Sequence, residues 1–443
     1  MFRTLSESLR TWKSSQVRKP LLLRGPRQVG KTWLLRDFGT HSYSGLAYFN
    51  FEQNPALATL FETTRDVTRI LEHLATLHGT PIEPGRTLLV LDEIQECNGA
   101  LRALKYFCED RPDIHVAAAG SLLGVTLSTP ASFPVGKVDF LDLRPMTFSE
   151  FLRATDEQAL QEYLAGIQDL NTIPDAFFGR LLELLARYLV IGGMPECVLR
   201  WSTERDMGAV LKIQKAILDS YELDFSKHAP ANDIPKVGHL WRSLPAQLAR
   251  DNRKFLYTAA RAGARARGYE DALQWLVATG VVMRLFRCTM PRLPLSAYDD
   301  LSSFKLYSVD TGLLARQSGL DPTTLSDPRA SFVEFKGALA ENYALQALAA
   351  QFEVLPRYWM SGGLAEVEFV VQRHNDIHPI EVKSGVNVRS KSLAVYRAEY
   401  APRIAVRLSL KNLQFRNGLL DVPLFMADQL DRLIGLAADS LSE

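Results

Sequence analysis

The stretch Gly25-Pro26-Arg27-Gln28-Val29-Gly30-Lys31-Thr32 decides the fold of the first part of this chain. It follows an apolar run at residues 20–24 and precedes a segment of helical character at residues 33–38. The order is therefore strand, glycine-rich loop and helix, and the loop reads G-x-x-x-x-G-K-T, which is typical of a phosphate-binding loop. A chance glycine-rich turn is the alternative interpretation.

Each part of this loop has a chemical reason. The two glycines let the backbone curl so that successive N–H groups point at phosphate oxygens, and the start of the helix adds the positive end of its dipole. We expect Lys31 to reach the β- and γ-phosphates of ATP as a catalytic residue, and the Thr32 hydroxyl to bind Mg²⁺. The residues expected to contact the nucleotide are Gly25, Pro26, Arg27, Gln28, Val29, Gly30, Lys31 and Thr32.

The composition is that of an ordinary globular chain with almost no net charge. Of its 443 residues, 47% are hydrophobic and 23% are charged, and the 51 basic residues nearly cancel the 50 acidic ones. No overall field therefore attracts nucleic acid or a membrane, and any basic surface must be local. At about 150 residues per domain, the length predicts roughly three domains.

The cysteines and the hydropathy pattern predict the compartment. The four cysteines are scattered and form no C-x-x-C pair, which argues against a zinc site and against a disulfide framework. The sequence near Met1 has no signal-peptide core, and there is no run of about 18 apolar residues. We therefore expect a cytoplasmic protein without a membrane partner.

A second motif lies roughly 60 residues after the loop, a spacing that favours a doubly wound α/β sheet. Residues 87–93 form a continuous apolar run that ends in two carboxylates, and such a run is typical of a parallel strand buried on both faces. Asp92 is predicted to hold Mg²⁺ through water, and Glu93 to polarise the attacking water as a catalytic residue. A solvated strand end is the alternative for both.

A third apolar run, at residues 114–121, ends in Ser121. A polar side chain at the tip of this strand could sense the γ-phosphate of ATP, so Ser121 is a candidate nucleotide contact. The alternative is that Ser121 caps the N-terminus of a following helix.

The arrangement resembles the AAA+ ATPases, and several segments resemble one prokaryotic family of ATP-binding proteins among them. Those segments are Asn50-Phe51-Glu52, Leu91-Asp92-Glu93-Ile94-Gln95, Gly120-Ser121 and residues 143–151. That family joins an AAA+ module to a C-terminal domain of undefined function. The resemblance implies that Gly193 and Pro195, in the sequence Gly192-Gly193-Met194-Pro195-Glu196, lie against the nucleotide as part of a small helical lid.

One position departs from the family pattern. Where the family usually has Gly-Arg, this chain has Gly136-Lys137, and a lysine keeps the charge but lacks the planar two-pronged contact of arginine. The resemblance therefore leaves open whether Lys137 or Arg144 acts as an arginine finger. For Arg144 a solvated charge is the alternative, and an oligomer is compatible with the resemblance but not established by it.

Residues 205–325 read as three helices followed by two strands, which fits a winged helix-turn-helix. Arg261, Arg265 and Arg267 cluster beside the turn between the second and third helices, where they could contact DNA phosphates or base edges. The alternative is a lid on the ATPase whose arginines are solvated or paired with Glu270 or Asp271.

Residues 326–443 read as an α/β domain with carboxylates on two successive strands. Strand alternation places Glu366 and Glu368 on one face of the first strand, and Glu381 and Lys383 on one face of the second. If the strands are neighbours, these groups converge near Glu341 of the preceding helix. Clustered carboxylate oxygens suit Mg²⁺ or Mn²⁺, so Glu341, Glu368 and Glu381 are candidate metal ligands.

This constellation resembles the restriction-endonuclease-like nuclease fold. The family motif is a helix glutamate, an acidic residue on one strand and Glu-x-Lys on the next, here Glu341, Glu368 and Glu381-Val382-Lys383. The resemblance implies catalytic roles for Glu368, Glu381 and Lys383. A degenerate nuclease core that keeps its polar face only for binding is the alternative.

The sequence therefore predicts an α/β protein of three parts: a P-loop AAA+ module with a helical lid (1–204), a winged helix (205–325) and a nuclease-like domain (326–443). Its expected function is to bind and hydrolyse ATP with Mg²⁺ and to couple the nucleotide state to a nucleic-acid-acting C-terminal domain. DNA and a protein are both open as partners. The alternative is an ATP-dependent signalling switch whose nuclease-like domain only binds a partner.

Overall fold

The computed structural model describes residues 1–121, 134–250, 253–321, 335–363, 365–384 and 391–441. Contacts divide the chain into two units. The first comprises Met1–Arg144 with Ala278–Gly280, and the second comprises Pro145–Val277 with Val281–Glu443. Each unit contains its own sheet.

The apolar runs of the first unit form one sheet of five strands. The strands are β1 (Leu21–Gly25), β2 (Gly45–Asn50), β3 (Thr87–Asp92), β4 (His115–Ser121) and β5 (Asp139–Asp142). Their order is β2-β3-β4-β1-β5, and all neighbours are parallel. Every residue of β3 is buried, as expected for a central strand covered on both faces. The predicted α/β fold with a parallel sheet is confirmed.

Amphipathic helices cover this sheet. They are α1 (Leu5–Ser14), α2 (Lys31–Ser42), α3 (Leu57–Thr63), α4 (Val67–His78) and α5 (Asn98–Asp110). Leu101, Leu104 and Phe107 of α5 pack in one core cluster with Leu89 and Leu91 of β3. This packing fixes β3, and therefore the position of the residues that follow it.

The strand register places the polar strand ends at one edge. Asn50 is paired in register with Asp92, and Gly25 with Ser121. In open parallel sheets, ligands bind outside the carboxyl ends of the strands. The first unit therefore has its candidate site at this edge.

The helices after residue 145 begin with α6, whose N-terminus is a capping box formed by Thr147 and Glu150. They are α6 (Phe148–Ala154), α7 (Gln158–Ala165), α8 (Asp175–Ile191), α9 (Pro195–Glu204), α10 (Met207–His228), α11 (Ile234–Leu248), α12 (Tyr257–Ala260), α13 (Ala266–Ala278), α14 (Thr311–Gln317), α15 (Phe335–Ala349), α16 (Lys391–Tyr400) and α17 (Leu430–Asp439). Within the described ranges, each helix is too short or too polar to cross a membrane.

The second unit contains a mixed sheet of eight strands in the order β12-β13-β11-β10-β9-β8-β6-β7. The strands are β6 (Val282–Cys288), β7 (Asp299–Ser308), β8 (Arg357–Met360), β9 (Glu366–Arg373), β10 (Asp376–Val382), β11 (Ala405–Ser409), β12 (Gln414–Arg416) and β13 (Leu419–Pro423). Strands β9 and β10 are antiparallel neighbours, as expected, with Phe369 paired to Ile380.

The sheet crosses the boundary that we placed at residue 325. Strand β6 pairs in parallel with β8, with Arg287 opposite Tyr358 and Cys288 opposite Trp359. The two strands expected to form the wing therefore continue the sheet of the C-terminal region. The first of the two units described above ends at Arg144, whereas the first predicted part ends at residue 204. Four helices, α10 to α13, precede β6 and β7 in this segment, and the winged helix and the three-part division remain predictions.

Candidate functional site

The glycine-rich loop has the backbone shape that phosphate binding requires. Gly30 has φ = 90°, a left-handed conformation that glycine adopts without a steric penalty, and α2 begins at the next residue. A Cβ atom on Gly25 would lie 2.2 Å from the carbonyl oxygen of Leu143. Only glycine therefore fits at this last position of β1, next to the backbone of Leu143.

Lys31 lies inside the curl of the loop. Its ammonium donates hydrogen bonds to the carbonyl oxygens of Gly25 (3.0 Å) and Pro26 (2.8 Å), and the residue is 8% exposed. Burial lowers the pKa of Lys31 to about 8, against the opposing effect of Glu93 and Asp92. The loop thus holds a desolvated cation beside two carboxylates.

Asp92 connects the loop to the strand end. The residue is 1% exposed, and its Oδ2 accepts hydrogen bonds from the hydroxyls of Thr32 (2.7 Å) and Tyr48 (2.7 Å). Its Oδ1 accepts from the backbone N–H of Glu93 (3.0 Å). Asn50 Nδ2 in turn donates to the Tyr48 hydroxyl (3.2 Å). Sequence reasoning missed Tyr48, although its place two residues before the polar end of β2 was a usable signal.

Thr32 and Asp92 fit the predicted Mg²⁺ site. They present a hydroxyl and a carboxylate, both hard oxygen donors, whose atoms are 2.7 Å apart. Mg²⁺ is commonly held by one or two protein oxygens together with phosphate oxygens and water. These two residues would hold the ion, and a bound nucleotide would supply further ligands.

Glu93 and Ser121 lie where the sequence predicted. Glu93 follows β3 with φ = 51°, and Gln95 Nε2 donates a hydrogen bond to its Oε2 (2.5 Å). Gln95 therefore orients the predicted catalytic carboxylate. Ser121 ends β4 beside Gly25, at the start of the loop.

Both finger candidates belong to the first unit. Lys137 Nζ lies 2.8 Å from Glu109 Oε1. Arg144 is half-buried, and this burial lowers the pKa of its guanidinium. The finger role of either residue remains a prediction.

Gly193 and Pro195 belong to the second unit. Pro195 is the first residue of α9, a position where a missing N–H costs nothing. The N–H of Gly193 donates to Oδ2 of the fully buried Asp310 (2.6 Å), and Asp310 Oδ1 accepts from the N–H of Leu313 (2.9 Å). Burial raises the pKa of Asp310 to about 6. Their contact with a nucleotide remains a prediction.

The four predicted residues of the C-terminal site converge. Lys383 Nζ lies 2.6 Å from Glu381 Oε1, and the N–H of Val382 donates to Glu368 Oε2 (3.3 Å). Burial and the nearby charge of Glu341 raise the pKa of Glu368 to about 8. Burial also raises the pKa of Glu381. Burial lowers the pKa of Lys383, but Glu368 and Glu381 outweigh it and raise that pKa overall.

This carboxylate cluster is neutralised by cations of the chain itself. Arg253 Nη1 donates to Glu341 Oε1, and Lys305 Nζ donates to Glu366 Oε1. Across the residues that the structure describes, no three His, Cys, Asp or Glu side chains are arranged to hold a metal ion. Glu341, Glu368 and Glu381 therefore come together as expected, but as arranged they do not fit a metal ion. Sequence reasoning missed the pairing of Arg253 with Glu341, because the two residues lie 88 positions apart.

The three arginines predicted to contact DNA lie on the surface. Arg261, Arg265 and Arg267 are all exposed. Glu270, which we considered as their partner, instead accepts hydrogen bonds from Arg284 (2.7 Å) and the Tyr257 hydroxyl (2.6 Å). Their contact with DNA remains a prediction.

The parallel sheet, the loop and the acidic strand end are the features of a P-loop domain. Comparison with protein families agrees: residues 17–152 match a family described as "AAA domain". Residues 182–324 match a domain of unknown function (DUF8612), and residues 336–425 match another (DUF4143). A comparison with curated proteins gave no match. The AAA part of the resemblance is therefore confirmed, and the nuclease-like part remains a prediction.

Several solved structures are similar to parts of the chain. A Walker-type ATPase of Pyrococcus abyssi (paby2304) is 14% identical, with 71% of this chain and 96% of that chain covered and a TM-score of 0.45. The Orc1 protein of Aeropyrum pernix, solved with DNA, is 14% identical, with 72% and 91% covered and a TM-score of 0.29. The RuvB Holliday junction branch migration motor of Thermotoga maritima is 19% identical, with 66% and 88% covered and a TM-score of 0.28.

Proposed function

We propose that this chain binds and hydrolyses ATP at the carboxyl edge of its parallel sheet. The observation that carries the proposal is the Lys31–Thr32–Asp92 constellation, in which a buried ammonium and two oxygen donors meet at a glycine-rich loop. The match of residues 17–152 to the AAA domain supports it.

Each residue of this site has a role in the proposed reaction. The Lys31 ammonium exchanges the carbonyl oxygens of Gly25 and Pro26 for phosphate oxygens of ATP. Thr32 and Asp92 would hold Mg²⁺, which supplies positive charge against the phosphate oxygens when bound. Glu93, oriented by Gln95, accepts a hydrogen bond from the attacking water and so positions it for in-line attack.

The test separates binding from turnover. Glu93→Gln should still bind ATP but lower the turnover rate by about 10²- to 10⁴-fold, because a neutral amide cannot accept the proton. Lys31→Ala should lose ATP binding itself. Glu96→Gln is the matched control for the first variant and Lys105→Ala for the second, since both side chains are exposed on the elements that follow β3. Normal turnover in Glu93→Gln would contradict the role of Glu93.

We further propose that the nucleotide state is coupled to a nucleic-acid-acting site formed by Glu368, Glu381 and Lys383. Their convergence supports it, and the exposed arginines beside α13 offer a surface for phosphates. The second candidate is a switch whose C-terminal region only binds a partner. The pairing of Glu341 with Arg253 favours that candidate, because a cation of the chain neutralises the predicted metal ligand.

A cleavage assay distinguishes the two candidates. The nuclease proposal expects plasmid or oligonucleotide cleavage that requires Mg²⁺ and disappears in Lys383→Ala and Glu381→Ala, while ATP turnover stays intact. Lys411→Ala, just after β11 of the same sheet, is the matched control. Cleavage that is unchanged in both site variants would rule out this site as catalytic. Nucleotide-dependent DNA binding without any cut product would favour the switch.

A further inference from the structure

Glu341 is held on both of its carboxylate oxygens. Arg253 Nη1 donates to Oε1, and the Tyr307 hydroxyl donates to Oε2 (3.2 Å). The side chains of Arg253 and Glu341 are 18% and 4% exposed. A guanidinium paired with a carboxylate in such a desolvated place is held far more firmly than a surface ion pair.

The backbone around this pair is shaped to allow it. Arg253 has φ = 46°, a left-handed conformation that is uncommon for a residue other than glycine. Its Nε also donates to the carbonyl oxygen of Leu248 (3.2 Å), which fixes the direction of the side chain. On α15, one turn before Glu341, a Cβ atom at Gly337 would lie 2.8 Å from Arg253 Nη2. The glycine therefore leaves the space that the guanidinium uses.

The other carboxylates of the cluster show why this cation matters. Glu366 is paired with Lys305, and Glu381 Oε1 is paired with Lys383. The residue Glu381 is only 1% exposed, and its Oε2 is buried without a hydrogen-bond partner. Glu368 accepts from a backbone N–H. The cluster therefore contains a carboxylate oxygen without a hydrogen-bond donor. Both oxygens of Glu341, the helix glutamate beside it, accept hydrogen bonds.

We propose that Arg253 is a built-in competitor of a divalent cation at this carboxylate cluster. The guanidinium neutralises Glu341 and repels a second cation, so a hard divalent ion binds tightly only when Arg253 leaves Glu341. The inference rests on the proposed nucleic-acid-acting site but concerns cation binding alone. Arg253 would thus act as a positioning residue that keeps the cluster metal-poor for as long as it is paired with Glu341.

The test measures Mn²⁺ binding to the full chain by the electron paramagnetic resonance of free Mn²⁺. Nucleotide is omitted, and every protein carries Asp92→Asn to remove the site in the first unit. Arg253→Gln should bind Mn²⁺ about tenfold more tightly than the parent, because one like charge is removed within a few ångströms. The gain should vanish in Arg253→Gln/Glu341→Gln. Unchanged affinity in Arg253→Gln would overturn the proposal.

A matched variant and a second measurement keep the result specific. Arg284 makes a comparable half-buried pair with Glu270 (2.7 Å), so Arg284→Gln should leave Mn²⁺ affinity unchanged, and an equal gain there would also overturn the proposal. Mn²⁺ should raise the melting temperature of Arg253→Gln but not that of the double variant. If Arg253→Gln does not fold, Arg253→Lys carries the test, since its single-point contact should give a smaller gain in affinity. Absence of DNA cleavage would contradict the nuclease proposal and leave this result standing.

Discussion

The chemistry of Lys31 follows from its place inside the loop. The ammonium has exchanged water for two carbonyl oxygens, and burial lowers its pKa to about 8. A bound triphosphate would bring negative charge next to it and raise that pKa again. ATP binding should therefore be linked to the protonation of this one side chain.

This linkage predicts how ATP affinity depends on pH. Below about pH 8 Lys31 is charged before ATP binds, so its protonation does not limit the affinity. Above that pH the free protein must take up a proton to bind, and the affinity should fall by up to about tenfold per pH unit. Titration with a fluorescent ATP analogue between pH 7.5 and 9.5 measures it.

The control keeps the charge at all of these pH values. Lys31→Arg should bind ATP more weakly, because a planar guanidinium does not reproduce the ammonium contacts, but its affinity should not change across the range. A flat profile in the unsubstituted protein would contradict the assignment of Lys31 as the phosphate-binding cation.

At the scale of elements, the turn before α9 is packed with almost no free space. The N–H of Met146 donates to the carbonyl oxygen of Gly193 (2.7 Å). A Cβ atom on Gly193 would lie 2.2 Å from the carbonyl oxygen of Met146. Because that neighbour is backbone, it cannot rotate away as a side chain would. The turn therefore needs glycine for a steric reason, independent of any nucleotide.

This close approach predicts opposite effects for two Gly→Ala changes. Gly193→Ala should lower the free energy of unfolding by about 1–3 kcal/mol, the usual cost of forcing extra atoms into packed structure. Gly179→Ala is the matched control, since it lies on an exposed part of α8 with no atom within 4 Å of a Cβ. It should raise the free energy of unfolding by about 0.5–1 kcal/mol through helix propensity. Urea unfolding of the full chain measures both, and equal effects would contradict the packing argument.

Local sequence patterns predicted the helices and strands well. They did not predict which residues far apart in the sequence pair with each other. Sequence patterns predicted the strand–loop–helix unit at Gly25–Thr32 and the buried strand that ends at Asp92. Both were predictable because apolar runs and glycine positions determine structure over a few neighbouring residues. The pairing of β6 with β8 joins residues about 70 positions apart, and no periodicity within either strand encodes it. The same holds for the sites: Lys31 and Asp92 were found from motifs, whereas the partners Tyr48 and Arg253 depend on the tertiary fold.

At the scale of the whole molecule, the proposed coupling requires that a nucleotide bound to the first unit affect the carboxylate cluster in the second. Within the second unit a hydrogen-bonded route exists. Asp310 Oδ2 accepts from the N–H of Gly193 and from Gln346 Nε2 (3.5 Å), and Gln346 lies on α15 with Glu341. Gln346 Oε1 also accepts from the N–H of Thr311 (3.0 Å). A change at Gly193 would thus reach the helix that carries Glu341.

Hydrogen exchange of the full chain tests this coupling. Glu93→Gln with ATP should exchange more slowly than without ATP in the loop at residues 25–32, and also in peptides covering Gly193 and α15. The second effect follows from the predicted contact of Gly193 with the nucleotide, since a more ordered Gly193 turn would stabilise the hydrogen bonds of Asp310 and Gln346. Lys31→Ala with ATP should show neither effect, since it does not hold the nucleotide. Protection confined to Met1–Arg144 would mean that the first unit works alone, and it would contradict the coupling while leaving ATP binding intact.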